Sequence, residues 1–332
     1  MRPRRTEELK RSQRTVRNFG EAPTADHRLE ECYRYFERMQ SHMLIEDIQT
    51  QILPYEGRSR KTPFSIELDP ASDTLEPLVA SAFKGRDHYS RHELARAVAD
   101  FIRECAQSVV CFGQATYELV YLSREEEPGK YVAFELEQVR PLTVKRSGNK
   151  FIQTIPAEVA KKLAVPRFID LPAESILMFE LPTSLKKFVS RTLDSLAVLS
   201  EKLIPEFAMK DFATAASLYR YDSANQVYSQ KLALAEAGKQ IGWNARMLFN
   251  EEMLEFYQLK RQLRFERFKL QLRDSILETL NRGLVTAGTA LGFQAKIKVS
   301  GLPTLSDIEL AEADLESGGK AFGDILGQFL YY

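Results

Sequence analysis

Apolar positions recur most regularly between Asn244 and Arg282, a stretch with neither proline nor glycine that predicts one long helix. It closes on Asn281-Arg282-Gly283, where Gly283 is expected to take the left-handed conformation that ends helices. At 1.5 Å per residue such a helix spans about 58 Å, well beyond the average in a globular domain. Its apolar residues form two stripes. Phe256, Leu259, Leu263, Leu270 and Leu277 fall on one face, and Phe265, Phe268, Leu272 and Ile276 on the opposite one. Between them, Lys260, Arg264 and Arg267 line one flank, while Glu251, Glu255, Glu266, Lys269 and Arg273 give the other a mixed charge. Two readings follow. The helix is the centre of a large helical domain with solvated flanks, or it packs between neighbouring subunits with its basic flank turned to a polyanion.

The rest of the chain is read from the same periodicities. Residues 27–50, extending toward Pro54, have helical spacing, and Pro63 to Leu68 alternate like a half-buried strand closed by Asp69-Pro70. A short helix is expected at Leu75 to Phe83. Ser90-Arg91-His92-Glu93 reads as a capping box opening an amphipathic helix (Leu94, Ala97, Val98, Phe101, Ile102, Cys105) that stops before Gly113. The period then changes to two. Tyr117 to Tyr121 and Tyr131 to Leu136 make a hairpin about Glu127-Pro128-Gly129, and strands follow at 142–145 and 151–155. A helix at 157–163 and a strand at 175–181 complete this α/β part. From Thr183 to Lys239 the pattern is mainly helical, with Leu218 to Tyr221 ambiguous. After the long helix come a strand at 294–299, a helix capped by Ser306 that runs through Leu315, and a tail expected to be mobile or docked on a partner.

Composition adds bounds. The 332 residues, 44% hydrophobic and 28% charged, suit one or two soluble domains with ample core. No apolar run has the length of a membrane span, and no signal peptide is expected after Met1-Arg2-Pro3-Arg4-Arg5. The three cysteines (Cys32, Cys105, Cys111) lack metal spacing and read as buried thiols. The formal net charge is zero, which argues against a generic nucleic-acid coat, yet the ends differ. Residues 1–20 carry seven Lys/Arg against two Glu, a net of +5, and residues 301–332 carry six acids against one Lys, a net of −5. The basic arm is either a solvated tail or a contact with nucleic acid or an acidic partner.

Catalytic patterns are missing. His88 and His92 straddle the expected helix cap and so do not form a metal pair on one helix face, and His27 and His42 stand apart. There is no phosphate loop, dinucleotide fingerprint or nucleophile elbow. Glu125-Glu126-Glu127 reads as a solvated turn rather than a cation site. Trp243 and the tyrosines at 219, 221 and 228 have the chemistry to stack on bases, but packing is the simpler use. No catalytic residue, cofactor or metal is expected.

Taken in order, residues 44–182 and 248–317 resemble the portal proteins of tailed bacteriophages, including the branch of transposable Mu-like phages. The resemblance rests on Ile45-Glu46-Asp47-Ile48-Gln49-Thr50-Gln51 leading to Leu68-Asp69-Pro70, and on the helix-to-strand step Cys111-Phe112-Gly113-Gln114-Ala115-Thr116-Tyr117-Glu118-Leu119-Val120. Leu136-Glu137-Gln138-Val139-Arg140-Pro141-Leu142 and Leu171-Pro172-Ala173-Glu174-Ser175-Ile176-Leu177-Met178-Phe179 look like the next two elements. The chain is short for that family. Pro182-Thr183-Ser184-Leu185-Lys186-Lys187 stands where a glycine-rich step is usual, and the projecting clip is abbreviated within about 210–243.

The resemblance implies an α+β, predominantly helical chain. It has a basic arm (1–26), a mixed wing (27–182), a stem of long helices (183–283), a strand and helix returning to the wing (284–317) and a tail or crown remnant (318–332), with a small C-terminal cap. It also implies a ring of about twelve subunits at a capsid vertex of the virion, assembled in the host bacterial cytoplasm, passing double-stranded DNA without reading its sequence. Implied partners are the capsid or scaffold protein, the terminase and head–tail adaptor proteins, with no membrane. Lys260, Arg264, Arg267, Lys186, Lys187 and Arg191 are then the candidates for facing DNA or a ring neighbour, and the two apolar stripes for packing between subunits. The alternative is a helical scaffold or adaptor that binds protein partners and has no DNA channel.

Overall fold

The computed structural model describes residues 9–11, 39–54, 64–83, 93–127, 129–140, 142–203, 233–245 and 254–329. In chain order its elements are β1 (Leu9–Arg11), α1 (Met39–Gln51), β2 (Ser65–Asp69), α2 (Leu75–Ala82), α3 (Leu94–Phe112), β3 (Gln114–Arg124), β4 (Tyr131–Val139), β5 (Val144–Ser147) and β6 (Lys150–Thr154). Then follow α4 (Ala157–Leu163), β7 (Phe168–Leu171), β8 (Ile176–Glu180), α5 (Thr183–Leu203), α6 (Glu255–Leu291), β9 (Lys296–Ser300), α7 (Leu305–Ser317) and α8 (Phe322–Phe329). Among the described residues 56% are helical and 22% lie in strands, and the strands pair only antiparallel. The fold is therefore α+β and predominantly helical.

Two compact units divide the chain. The first comprises Met1–Glu30, Lys61–Leu181 and Arg273–Leu302; the second comprises Glu31–Arg60, Pro182–Leu272 and Pro303–Tyr332. This division departs from the expected one at three places. α1 belongs with the second unit rather than the wing, the boundary in the long helix falls at Leu272 rather than 283, and of the C-terminal strand and helix only the strand returns to the first unit.

In the first unit β3 is the hub. β4 pairs along its length on one edge, while β8 (at Gln114–Glu118) and β1 (at Leu122–Arg124) share the other. Alternation sends Tyr117, Leu119, Leu136 and Phe179 to one face. There the Phe101 ring of α3 lies 5.0 Å from Tyr117 and 5.6 Å from Phe179. Each such buried side chain contributes roughly 1.5–3 kcal/mol. On the opposite face Val139 and Ile176 join Val144, Phe151 and Leu171 of the smaller β5-β6-β7 sheet. Gly113, left-handed at φ 76°, ends α3 and turns the chain directly into β3. The start of α3 differs from expectation. Glu93 is its N-cap residue and makes no side-chain cap bond, so it does not act as the third residue of a box opened by Ser90, which lies outside the described residues. β2 and β9 form a separate antiparallel pair. Asn281 serves β9 as a strand neighbour would: its side-chain amide donates to the Ile297 carbonyl (3.0 Å), and its oxygen accepts from the Ile297 N–H (2.7 Å).

The long helix α6 runs past its expected end. Gly283 is helical, as is Gly288, and the left-handed stop is Gly292 at φ 78°. Packing explains both interior glycines. A Cβ on Gly283 would strike the Leu177 side chain, and one on Gly288 would strike the Phe293 carbonyl. Two strands were not expected. β1 lies in the basic arm, where polar Lys10 and Arg11 obscure it, and β7 follows Pro166 with only four residues. In the second unit, Leu259, Leu263 and Leu270 of α6 pack with Ile308, Ala311 and Leu315 of α7 and with Ile325 and Phe329 of α8. The tail is thus a docked helix in part. α7 is capped by Thr304 rather than Ser306: the Thr304 hydroxyl accepts from the Asp307 N–H (3.3 Å), and the Asp307 carboxylate accepts from the Thr304 N–H (2.7 Å).

Candidate functional site

The first half of α6, with the segments packed around it, gathers most of the residues that the sequence pattern marks out. Both apolar stripes are covered within the chain. Leu259, Leu263, Leu270, Phe265, Phe268, Leu272 and Ile276 are all buried, with Leu263 and Leu272 at 0% exposure, while Phe256 and Leu277 are partly buried. The burial that suggested a subunit contact is therefore met inside one copy. The flank expected to be solvated is also largely enclosed: Glu266, Lys269 and Arg273 are buried. Lys269 reaches the Glu266 carboxylate at 2.8 Å one helical turn away and the Gln51 side chain of α1 at 3.4 Å. An ion pair this deep is retained only because its partners compensate the lost hydration.

The basic flank is occupied as well. Lys260 pairs with Glu316 (3.0 Å) and Arg267 with Glu312 (2.6 Å), both on α7, and Arg264 donates to the Lys239 carbonyl (2.9 Å). The acids of the C-terminal segment and these cations thus meet one another, 45 to 56 residues apart in sequence. Lys186, Lys187 and Arg191 sit elsewhere. They occupy the exposed side of α5, whose Leu185, Val189, Leu193 and Leu196 are buried on the other.

A latch missed by periodicity holds residues 233–245 to α6. Arg261 donates to the Ala235 carbonyl (2.7 Å) and through Nε to the Trp243 carbonyl (3.1 Å), satisfying acceptors a short helical stretch leaves open. Burial lowers its guanidinium to about 10. Trp243 is buried and donates its indole N–H to Asp47 of α1 at 2.8 Å, so packing rather than base stacking is its use. Gly242, at φ 83°, lies so close to the α6 backbone at Arg261 and Phe265 that no Cβ fits. Trp243 was visible in the sequence, but its pairing with Asp47 spans 196 residues and left no local signal.

The first unit carries a cleft of about 480 Å³ behind the β5–β6 hairpin, floored by Phe151, Ile176 and Met178 and edged by Arg146, Glu174 and Arg282. Arg146 lies 5.3 Å over the Phe151 ring, and Arg282 donates to the Thr279 hydroxyl at 2.9 Å. Nothing in this cleft pairs a nucleophile with a base. Burial pushes the Cys105 thiol and the Tyr117 hydroxyl well up, away from the ionised forms that react. Cys105 and Cys111 are buried, and neither is joined in a disulfide. Among the described residues no cluster of His, Cys, Asp and Glu is placed to hold a metal, and no helix is long and apolar enough to cross a membrane. His27, His88 and His92, the tyrosines at 219, 221 and 228, and most of the expected clip lie outside the described residues. The chain matches no protein-family model and no curated protein sequence.

Proposed function

We propose that the chain is the subunit of a portal-type ring of about twelve copies at a capsid vertex, a non-enzymatic channel that passes double-stranded DNA in packaging and ejection. One observation carries the reading: α6, 37 residues long, leaves the second unit, enters the first, and is followed by β9, which pairs back onto β2. A long helix followed by a strand that returns to the α/β part is the order of elements that the family resemblance implies for the C-terminal half. Capsid or scaffold protein, terminase and head–tail adaptor are the partners this role requires. In this role the exposed side of α5, with Lys186, Lys187 and Arg191, presents charge to DNA. A few cations on the channel wall hold DNA weakly enough to let it slide.

The second reading, a helical scaffold that binds protein partners without a channel, is favoured by one fact. Seven of the nine stripe residues of α6 are buried within a single copy and Phe256 and Leu277 partly so, which leaves little demand for a neighbour there. Negative-stain imaging of the purified chain decides between them. Closed rings with a central hole of about 20 Å or more, wide enough for a duplex, support the portal role. Compact particles without a hole support the scaffold.

A further inference from the structure

The small β5-β6-α4-β7 lobe of the first unit presents a basic surface. Within 142–171 stand Lys145, Arg146, Lys150, Lys161, Lys162 and Arg167 against Glu158 and Asp170, a net of +4, and all six cations are exposed. The ion pair of Lys150 with Asp170 in this lobe, at 3.7 Å, is 71% and 70% exposed and therefore weak. The lobe also shows large apolar groups to water: Phe168 at 60% and Leu163 at 45%, with the Arg167 guanidinium 5.5 Å over the Phe168 ring.

α7 of the second unit is its chemical complement. Ile308, Ala311 and Leu315 are buried against α6, which leaves Glu309, Leu310, Ala313 and Glu316 on the outer side, Leu310 59% exposed and Leu305 at the helix start 39% exposed. The six acids of 301–332, set against Lys320 and the paired Lys260 and Arg267, still leave a net of −3.

We propose that the basic lobe of one copy docks on the acidic outer side of α7 in the next copy, with Phe168 and Leu163 covering Leu310 and Leu305. Opposite net charges steer the two patches together, and the apolar residues on each supply area that a phosphate backbone has no means to use. Because the two patches differ, the contact is head-to-tail, the kind that closes into a ring when the rotation between copies allows. This rests on the ring reading and names the surfaces that would form it.

The test is a charge exchange in the full chain, read by native mass. Lys161→Glu, Lys162→Glu and Arg167→Glu together take the lobe from +4 to −2; Glu309→Lys with Ala313→Lys takes the net of −3 to zero and makes the outer side of α7 itself positive, since the acid left on that side is Glu316, which pairs with Lys260. All five positions are exposed, so unchanged circular dichroism and Trp243 emission are expected for both variants. Each variant alone should weaken association about tenfold or more, because like charges then face one another. The chain carrying both changes should regain assembly, and so should a mixture of the two single-sided variants. Wild-type assembly should weaken as salt rises. Variants that assemble like the wild type, or a combined chain that stays dispersed, overturn the pairing while leaving the ring intact. A lobe variant of unchanged mass that no longer retains a short DNA duplex overturns it too and gives the lobe to DNA. A wild type that is monomeric at every concentration removes the ring reading and this contact with it.

Discussion

Replacing Leu263 by alanine separates an internal core from a subunit interface. Leu263 is 0% exposed, and its cluster joins three helices through Leu259, Leu270, Ile308, Leu315, Ile325 and Phe329. Side chains fixed on three separate helices have little freedom to close a gap, so the loss combines the transfer of the deleted atoms with the cavity they leave. For a leucine in such a site that is about 3–5 kcal/mol. Trp243, the single tryptophan, is buried in the same unit, so its emission during urea unfolding reports the affected core. With a slope of about 2 kcal/mol per molar, the midpoint should fall by roughly 2 M. Because the cluster closes within one copy, the difference between the wild-type and variant midpoints should not change over a hundredfold range of protein concentration, even where assembly moves both. A cost under about 1 kcal/mol, or a difference from the wild type that grows with concentration, would refute the internal assignment and return the stripe to a subunit contact.

Three further outcomes follow from the same geometry. Asp47→Ala leaves the buried Trp243 indole N–H without its 2.8 Å acceptor and should cost about 1–3 kcal/mol, whereas Asp47→Asn keeps an oxygen there and should cost less; urea titrations of both variants compare them. Gly288→Ala should destabilise by about 1–3 kcal/mol, since the added Cβ meets a backbone carbonyl at Phe293, whereas the same change on an open helix gains about 1; thermal melts followed by circular dichroism give the sign. Thr304→Ala should remove about 1 kcal/mol of cap. The Thr304 hydroxyl, and then its N–H, hold the Asp307 carboxyl below its ordinary range. That contribution is present above the pKa of the unfolded carboxyl and fades as pH falls through the lower folded value. The variant should accordingly show a shallower loss of stability on acidification than the wild type.

What the sequence pattern revealed was what neighbours along the chain decide. Alternation at Tyr117 to Tyr121 and the stripe Leu94, Val98, Phe101, Ile102 and Cys105 place β3 and α3, because each buries its apolar side on whatever lies opposite. The end of α6 was misplaced for a tertiary reason: Gly283 looks like a stop, but Leu177 packs against it and the helix continues. Charge misled in the same way. Glu266, Lys269 and Arg273 have the composition of a solvated flank, and only the packing of distant segments encloses them. Lys260 and Arg267 read as free cations until Glu316 and Glu312 come beside them through the fold. β1 and β7 were hidden by their brevity and by the polar residues they carry.

The native mass of the purified wild-type chain, followed from nanomolar to tens of micromolar, tests the ring most directly. The account predicts a closed species near twelve times the 38.0 kDa of one chain, which shifts toward a folded single copy on dilution or at high salt. A single copy of 38.0 kDa at every concentration and salt, with Trp243 still buried, would contradict it.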